Sequence, residues 1–291
     1  MNAISVKKLT KYYGKSRGII DVDLDVPRGD FFGFIGPNGA GKSTLIRTLL
    51  GLISKTGGEG TVLGQELGAT ELLSKVGYLP SELNFYRGMK ASEIIDLSAK
   101  LRNTDCTAEA AKLVKRLELD VSKRIEELSL GNKKKLGIVC ALQHKPELYI
   151  LDEPTSGLDP LMQREFYSIL KERNDEGATV FLSSHVLSEV AKYCRHAAVI
   201  SEGRILACDS IDKLGHSGIK KITLHGVDKS TVSTLSGIRD IKEENGNISF
   251  ICQGEAKTLV NELSSLDFDD VSITDPDLEE IFMHYYKKEG N

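Results

Sequence analysis

Gly36-Pro37-Asn38-Gly39-Ala40-Gly41-Lys42-Ser43-Thr44 is the stretch on which the reading of this chain turns. It fits the spacing G-x-x-x-x-G-K-[ST], the pattern of a phosphate-binding loop. The apolar run Phe31-Phe32-Gly33-Phe34-Ile35 leads into it and Leu45-Ile46-Arg47-Thr48-Leu49-Leu50 leads out, so the local order is strand, glycine loop, helix. Glycines allow a tight turn and let successive backbone N–H groups converge on an anion. The helix that follows adds the positive end of its dipole at the same place. Lys42 supplies a point charge for the outer phosphates, and the Ser43 hydroxyl is suited to ligate Mg²⁺. Residues Gly36 to Thr44 therefore predict a nucleoside triphosphate site.

On the N-terminal side, Ile4-Ser5-Val6 and Ile20-Asp21-Val22-Asp23-Leu24-Asp25-Val26 alternate apolar and polar residues. That alternation predicts half-buried antiparallel strands, with Pro27-Arg28-Gly29-Asp30 as the turn into the loop strand. On the C-terminal side a helical stretch begins after Tyr78-Leu79-Pro80. Within it Thr107 is the expected N-cap of a helix from Ala108 to Leu119, whose Ala110, Leu113, Val114 and Leu117 share one face. A helix is expected from Lys133 to Leu142, opened by Ser129 and Gly131, which form a second place where a helix start can meet an anion. The run Lys133-Lys134-Lys135 reads as a solvated helix face.

Leu148-Tyr149-Ile150-Leu151 is a short, wholly apolar strand of the kind buried in a parallel sheet, and it ends in Asp152-Glu153. Two carboxylates delivered at a strand end suit a phosphate site, with Asp152 toward Mg²⁺ and Glu153 as general base on the attacking water. Beyond it come a helix around Phe166, Ile169 and Leu170, a strand Thr179-Val180-Phe181-Leu182, a helix from Val186 to Cys194, and strands Ala197 to Ile200 and Arg204 to Ala207. This alternation predicts an α/β fold with a parallel sheet covered by helices.

After Gly215-His216-Ser217-Gly218, an expected linker, the order is strand (222–224), helix (230–235), strand (238–241), strand (248–251), helix (255–266), strand (271–273). That is the split βαβ, ferredoxin-like order, with Asn245-Gly246 turning between its middle strands. A last helix is expected over Asp277 to Lys288, with Leu278, Ile281, Phe282 and Tyr285 on one face.

Bulk properties narrow the class. In 291 residues, 40% are hydrophobic, enough for a core, and the net charge of −4 gives no basic surface for nucleic acid. No stretch approaches the ~18 consecutive apolar residues of a membrane span, and Met1 to Lys8 has no signal-peptide core. Five scattered cysteines, an odd number without a C-x-x-C pair, argue against a disulfide framework or zinc site and point to a reducing cytoplasm.

In this order the pieces resemble the ATP-binding subunits of ABC transporters over about the first three quarters of the chain. Gly36 to Thr44 matches the family's phosphate loop. Leu128-Ser129-Leu130-Gly131-Asn132 is similar to its signature motif, Leu-Ser-Gly-Gly-Gln, with Leu130 and Asn132 departing from it. Leu148 to Glu153 matches the acidic strand. Ser156-Gly157-Leu158-Asp159 is similar to the loop that crosses the family's dimer interface. His185 matches the switch histidine that reaches the γ-phosphate, and Tyr13 the aromatic that stacks on adenine, with Tyr12 as the other candidate. The glutamine that usually follows the strand at Gly77-Tyr78-Leu79-Pro80 is replaced by Ser81, followed by Glu82, so Mg²⁺ contact from this loop is expected to run through a bridging water or Glu82.

The resemblance implies an ABC-type ATPase core over 1–214, made of a mixed sheet, an antiparallel β subdomain and an inserted helical subdomain at about 82–145. A small α/β domain occupies 219–291. It also implies ATP and Mg²⁺, a homodimer in which Ser129, Gly131 and Asp159 of one copy meet the nucleotide on the other, and a separate integral-membrane permease on the inner face of the cell membrane. The tail Leu278-Glu279-Glu280-Ile281-Phe282 is similar to tails of bacterial drug, antibiotic and polysaccharide exporters, which favours export. Two other readings stand beside it. A non-transport ABC protein of DNA or translation would be expected to carry a long coiled coil, a zinc module or a second ATPase unit, and none is evident. A GTPase should show an Asn-Lys-x-Asp guanine reader, and none is found.

Overall fold

The computed structural model describes residues 1–215, 219–232, 235, 237–244, 246–253, 256–264 and 266–274. It divides into two compact units, Met1–Cys208 and Asp209–Asn291.

The first unit opens with β1 (Asn2–Tyr13) and β2 (Ser16–Pro27), paired antiparallel. Val22, Leu24 and Val26 are buried while Asp21, Asp23 and Asp25 stay exposed, so the alternation in the sequence becomes one wet and one dry face. After β3 (Phe31–Ile35) and α1 (Lys42–Leu49), β4 (Gly57–Val62) and β5 (Gln65–Glu66) complete a four-stranded antiparallel sheet in the order β2-β1-β4-β5. Its dry face packs with Leu45, Ile46 and Leu49 of α1 and Phe32 and Phe34 of β3 in one core. Each fully buried side chain of this size contributes about 1.5–3 kcal/mol.

The next elements are α2 (Leu72–Lys75), β6 (Val76–Leu79), α3 (Ala91–Leu101), α4 (Thr107–Arg116), α5 (Leu130–Leu142), β7 (Leu148–Asp152), α6 (Pro160–Asp175), β8 (Thr179–Ser184), α7 (Leu187–Tyr193), β9 (His196–Ser201) and β10 (Arg204–Ser210). Six strands form the central sheet in the order β10-β9-β3-β8-β7-β6. The pairs β3–β8, β3–β9, β7–β8 and β6–β7 are parallel. Every residue of β3, β7 and β8 is buried, as strands covered on both faces must be. β10 joins the edge through the turn Glu202-Gly203, where both residues have positive φ, the backbone of a tight hairpin turn.

α3 and α5 are stitched together by Gln143 Nε2 donating to Ile95 O at 3.1 Å and Ser98 Oγ to Cys140 O at 3.4 Å. α4 is held to α6 by two arginines. Arg116 meets Glu165 and Glu172, and the buried Arg173 meets Glu109.

Several expected element ends differ. Thr107 is the first residue of α4 rather than its cap: Cys106 occupies that position, and Asp105 Oδ1 accepts from Thr107 N–H at 3.0 Å. The aspartate side chain, two residues earlier, satisfies that amide at the helix start. The same helix ends at Arg116, with Leu117 at its cap. α5 begins at Leu130, not Lys133, because Ser129 is its N-cap and accepts from Asn132 N–H at 3.3 Å. The lysine run is not a uniformly solvated face: Lys134 is 3% exposed. Lys134, Gly137, Ile138 and Ala141 lie at i, i+3, i+4 and i+7, which puts the lysine on the buried stripe.

The second unit contains α8 (Ile211–Gly215), β11 (Ile219–His225), α9 (Lys229–Val232), β12 (Ile238–Glu244), β13 (Asn247–Gln253), α10 (Ala256–Leu263) and β14 (Asp270–Thr274). The sheet order β12-β13-β11-β14 is all antiparallel and ferredoxin-like, as the sequence order predicts. Ile222, Leu224, Ile248, Phe250, Leu259 and Leu263 form its core. His216 to Gly218 of the expected linker, Asn245 of the expected turn and the expected helix over Asp277 to Lys288 lie outside the described residues. No helix among the described residues is long and apolar enough to cross a membrane.

Candidate functional site

Parallel pairing brings four strand ends together. Ile35 is level with Ser184, Ser183 with Asp152, and Leu151 with Leu79. The residues that follow are Gly36, His185, Glu153 and Pro80-Ser81, so segments separated by more than a hundred residues meet along one edge. This is the edge where open α/β sheets bind their ligands.

The loop after β3 wraps the start of α1. Gly39 and Gly41 have φ of +80° and +110°, the left-handed region that L side chains avoid. A Cβ on Gly41 would lie 2.7 Å from Gly18 O, and one on Gly18 would lie 2.7 Å from Lys11 O and 2.9 Å from Thr44 Cγ2. Gly203 fits against the same backbone: its N–H donates to Ala40 O at 2.8 Å, and its carbonyl accepts from Ile20 N–H at 2.8 Å. Three backbones at Gly18, Gly41 and Gly203 thus touch with no side chain between them.

Lys42 is buried, and its Nζ donates to Gly36 O at 2.6 Å and Pro37 O at 3.3 Å. The same ammonium lies 3.3 Å from Glu153 Oε1, while Glu153 Oε2 meets His185 Nδ1 at 2.7 Å. Lys42, Glu153 and His185 form one line of charge and hydrogen bonding. Glu153 sits at φ +49°, a conformation that costs a non-glycine residue about 1–2 kcal/mol. Its N–H donates to Ser183 O at 3.0 Å and its carbonyl accepts from Lys134 Nζ at 3.1 Å. The Lys134 ammonium also donates to Ser81 O at 3.2 Å. Burial pushes the Lys134 pKa down, opposed by the negative charges of Asp152 and Glu153. Burial, and then the charge of Asp152, push the Tyr78 phenol up.

Asp152 is buried and its Oδ1 accepts from Ser183 Oγ at 2.9 Å. Its Oδ2 is equally buried and has no hydrogen-bond partner among the described residues. An orphaned carboxylate oxygen one residue before Glu153, which itself meets the Lys42 ammonium, fits a divalent cation. Among the described residues there is no cluster of three or more His, Cys, Asp or Glu side chains that could hold a metal alone. A cation held by one carboxylate, one hydroxyl and substrate oxygens matches Mg²⁺ rather than zinc.

A cavity of about 250 Å³ is lined by Pro37, Asn38, Gly39, Gly41, Lys42, Ser43 and Thr44 together with Ser81, Glu153, Arg17 and Gly18. The sequence reading missed Arg17 and Gly18. The only available signal was a glycine inside an otherwise regular strand, which marks a close backbone approach. Tyr13 stands beside this rim: its ring would be 3.1 Å from a Cβ on Gly18 and it is half exposed, as is Tyr12.

Ser129, Gly131 and Asp159 are not among the residues that line this cavity. The 129–131 and 156–159 segments lie together on the same unit: a Cβ on Gly131 would meet Gly157 O at 2.8 Å, and one on Gly157 would lie 3.4 Å from Leu130 Cγ. Leu130 is 72% exposed, so it points away from the backbone amides at the start of α5. Asp159 caps α6, accepting from Leu161 and Met162 N–H at 3.1 and 3.0 Å.

A family profile described as "ABC transporter" matches residues 19–156. The chain is 37% identical over 241 residues to the bacitracin transport ATP-binding protein BcrA of Bacillus licheniformis, covering 80% of this chain and 78% of that one. It is 31% identical over 252 residues to the linearmycin resistance ATP-binding protein LnrL of Bacillus subtilis, covering 82% and 81%. The lantibiotic transport ATP-binding protein SrtF of Streptococcus pyogenes is 36% identical, covering 70% and 89%. Among solved structures, an ATP-binding subunit of an ABC transporter superposes with a TM-score of 0.68 at 31% identity, over 73% of this chain and 91% of that one. The dimeric ABC transporter cassette MJ0796 superposes with a TM-score of 0.64 at 25% identity, over 72% and 98%. The nucleotide edge of the sheet, the acidic strand and these likenesses converge: the chain belongs to the ATP-binding, ATP-hydrolysing subunits of ABC transporters.

Proposed function

We propose that two copies of this chain close head to tail around two ATP molecules and, by closing and opening, drive a separate integral-membrane permease that exports its substrate. The observation that carries the reading is the separation of the two anion-binding features within one copy. The Gly36–Thr44 cavity is lined without Ser129 or Gly131, whose exposed helix start is free to meet a nucleotide on another copy. The family's dimeric cassette gives a precedent for such pairing. Relatives named for bacitracin and lantibiotic transport and for linearmycin resistance favour export of an antibiotic-like compound. A role on DNA or in translation gains no support from any of them. The protein then works at the cytoplasmic face of the membrane, held there by the permease. Residues 1–214 form the ATPase domain, with a helical subdomain at about 82–145, and 219–291 a smaller appended domain.

In this assignment Gly36 to Thr44 cradle the phosphates with backbone N–H groups, Lys42 balances charge on the outer two, and Tyr13 stacks on adenine. Ser43 and Asp152 would hold Mg²⁺, with Ser81 reaching it through a water. Bound there, the ion neutralises charge on the phosphoryl oxygens. Glu153 takes a proton from the attacking water as general base. His185, already hydrogen-bonded to Glu153 Oε2, fixes which carboxylate oxygen faces that water and contacts the γ-phosphate. Ser129 and Gly131 of the second copy close the site from the far side, and Asp159 braces the same interface.

Glu153→Gln tests the reading. With ATP and Mg²⁺ this variant should run as a dimer in light scattering, while Ser129→Ala added to it should return it to a monomer. A Glu153→Gln protein that stays monomeric with ATP bound would overturn the pairing. Affinity purification of the tagged chain from its membrane fraction should bring down a multi-span protein.

A further inference from the structure

Lys134 is the one buried lysine of the 133–135 run. Its ammonium meets two backbone carbonyls from two different strand ends, Ser81 O at 3.2 Å and Glu153 O at 3.1 Å. The two loops differ in sequence position by about seventy residues, and each carries a side chain assigned to the reaction. Glu153 needs holding: at φ +49° its backbone is in a region that an unrestrained glutamate leaves. Its amide is fixed to Ser183 O at 3.0 Å, so the Lys134 contact on its carbonyl fixes the other end of the same residue. With both ends tied, the carboxylate is delivered between Lys42 and His185.

We infer that Lys134 is a positioning residue for ATP hydrolysis: its ammonium clamps the backbones of Glu153 and Ser81 so that the general base and the neighbouring loop keep their alignment on the phosphate cavity. The inference rests on the assignment of Glu153 as general base. A methionine would fill the same space on the buried face of α5 but offer no donor to either carbonyl. An arginine would keep donors for both.

The test is steady-state ATP hydrolysis by the purified full chain. Lys134→Met should lower kcat at least about tenfold and leave KM for ATP within about threefold, because the Lys42 loop is untouched. Lys134→Arg should return kcat to within about threefold of the parent, a rescue that loss of packing alone would not give. A cooperative thermal transition establishes that each variant is folded. A folded Lys134→Met with parental kcat overturns the inference, as do Met and Arg variants that are equally slow. If Lys134→Met does not fold, Lys134→Leu, which likewise has no donor, replaces it under the same criteria. Glu153→Gln run in parallel separates the two assignments. If Glu153→Gln hydrolyses at the parental rate, the general-base reading fails whatever Lys134 does. If Glu153→Gln is slow and Lys134→Met is not, only the clamp fails.

Discussion

Lys42 Nζ and Glu153 Oε1 stand 3.3 Å apart, so the lysine proposed for the outer phosphates is paired with the carboxylate proposed as general base. ATP must compete with that pair for Lys42. Glu153→Gln is therefore expected to bind ATP about two- to tenfold more tightly than the parent while hydrolysing it about 100-fold or more slowly. Equilibrium binding of a fluorescent ATP analogue and a phosphate-release assay read the two effects separately. Weaker binding in the variant would contradict the competition.

Gly131→Ala separates the two anion sites. Its Cβ would lie 2.8 Å from Gly157 O, so the helix start or the 156–159 loop must shift. Nucleotide affinity of the isolated chain should stay within about twofold, since the lysine loop is untouched, while hydrolysis falls about tenfold or more. Loss of nucleotide affinity would place Gly131 in the same-chain site instead.

Much of this was legible in the sequence because it is local. The phosphate loop, the acidic strand and the ferredoxin-like order each follow from spacing within a few dozen residues. The order of strands in the sheet is not local. Nothing in Thr179-Val180-Phe181-Leu182 says that it will lie between β3 and β7, yet that insertion puts Ser183 on Asp152 and His185 on Glu153. Lys134 was misread for a related reason: a lysine triplet looks solvated until the carbonyls that hold its middle member are brought in from other loops. Thr107 differs because Asp105, two residues earlier, supplies the oxygen that meets a free amide at the helix start, and spacing alone offers both residues for that role.

His144 predicts a loss of stability in mild acid. Burial, and then the charge of Arg102, push its pKa down from 6.5 to about 4. The folded state resists protonation while the unfolded state accepts it, so stability is full above about pH 6.5 and declines as pH falls toward 4. The shift corresponds to at most about 3 kcal/mol. Urea unfolding across this range should show the decline, and His144→Gln should flatten it.

The α4–α6 contact should be costly to break from one side. Arg173 is 3% exposed and pairs with Glu109. Glu109→Gln leaves that buried charge with Glu176, a mostly exposed partner at 3.0 Å. A loss of about 2–4 kcal/mol in urea unfolding is expected. A loss below about 0.5 kcal/mol would mean that Glu176 and water suffice.

Ser81→Gln gives this loop a longer side chain ending in an amide oxygen. It is expected to lower the Mg²⁺ concentration for half-maximal hydrolysis by about three- to tenfold, by replacing a bridging water with a direct contact. An unchanged requirement, together with a nucleotide-bound structure showing Ser81 Oγ on the metal, would contradict the indirect contact.

The contact of Gly18, Gly41 and Gly203 has a thermodynamic corollary. Backbones that touch without side chains hold the Gly41 end of the phosphate loop against two other segments. The mould is set before its ligand arrives, so little ordering entropy is lost when ATP docks. Its binding should therefore show a small unfavourable entropy from loop ordering, and most of the conformational cost of the cycle should fall on the closure of two such moulds against each other.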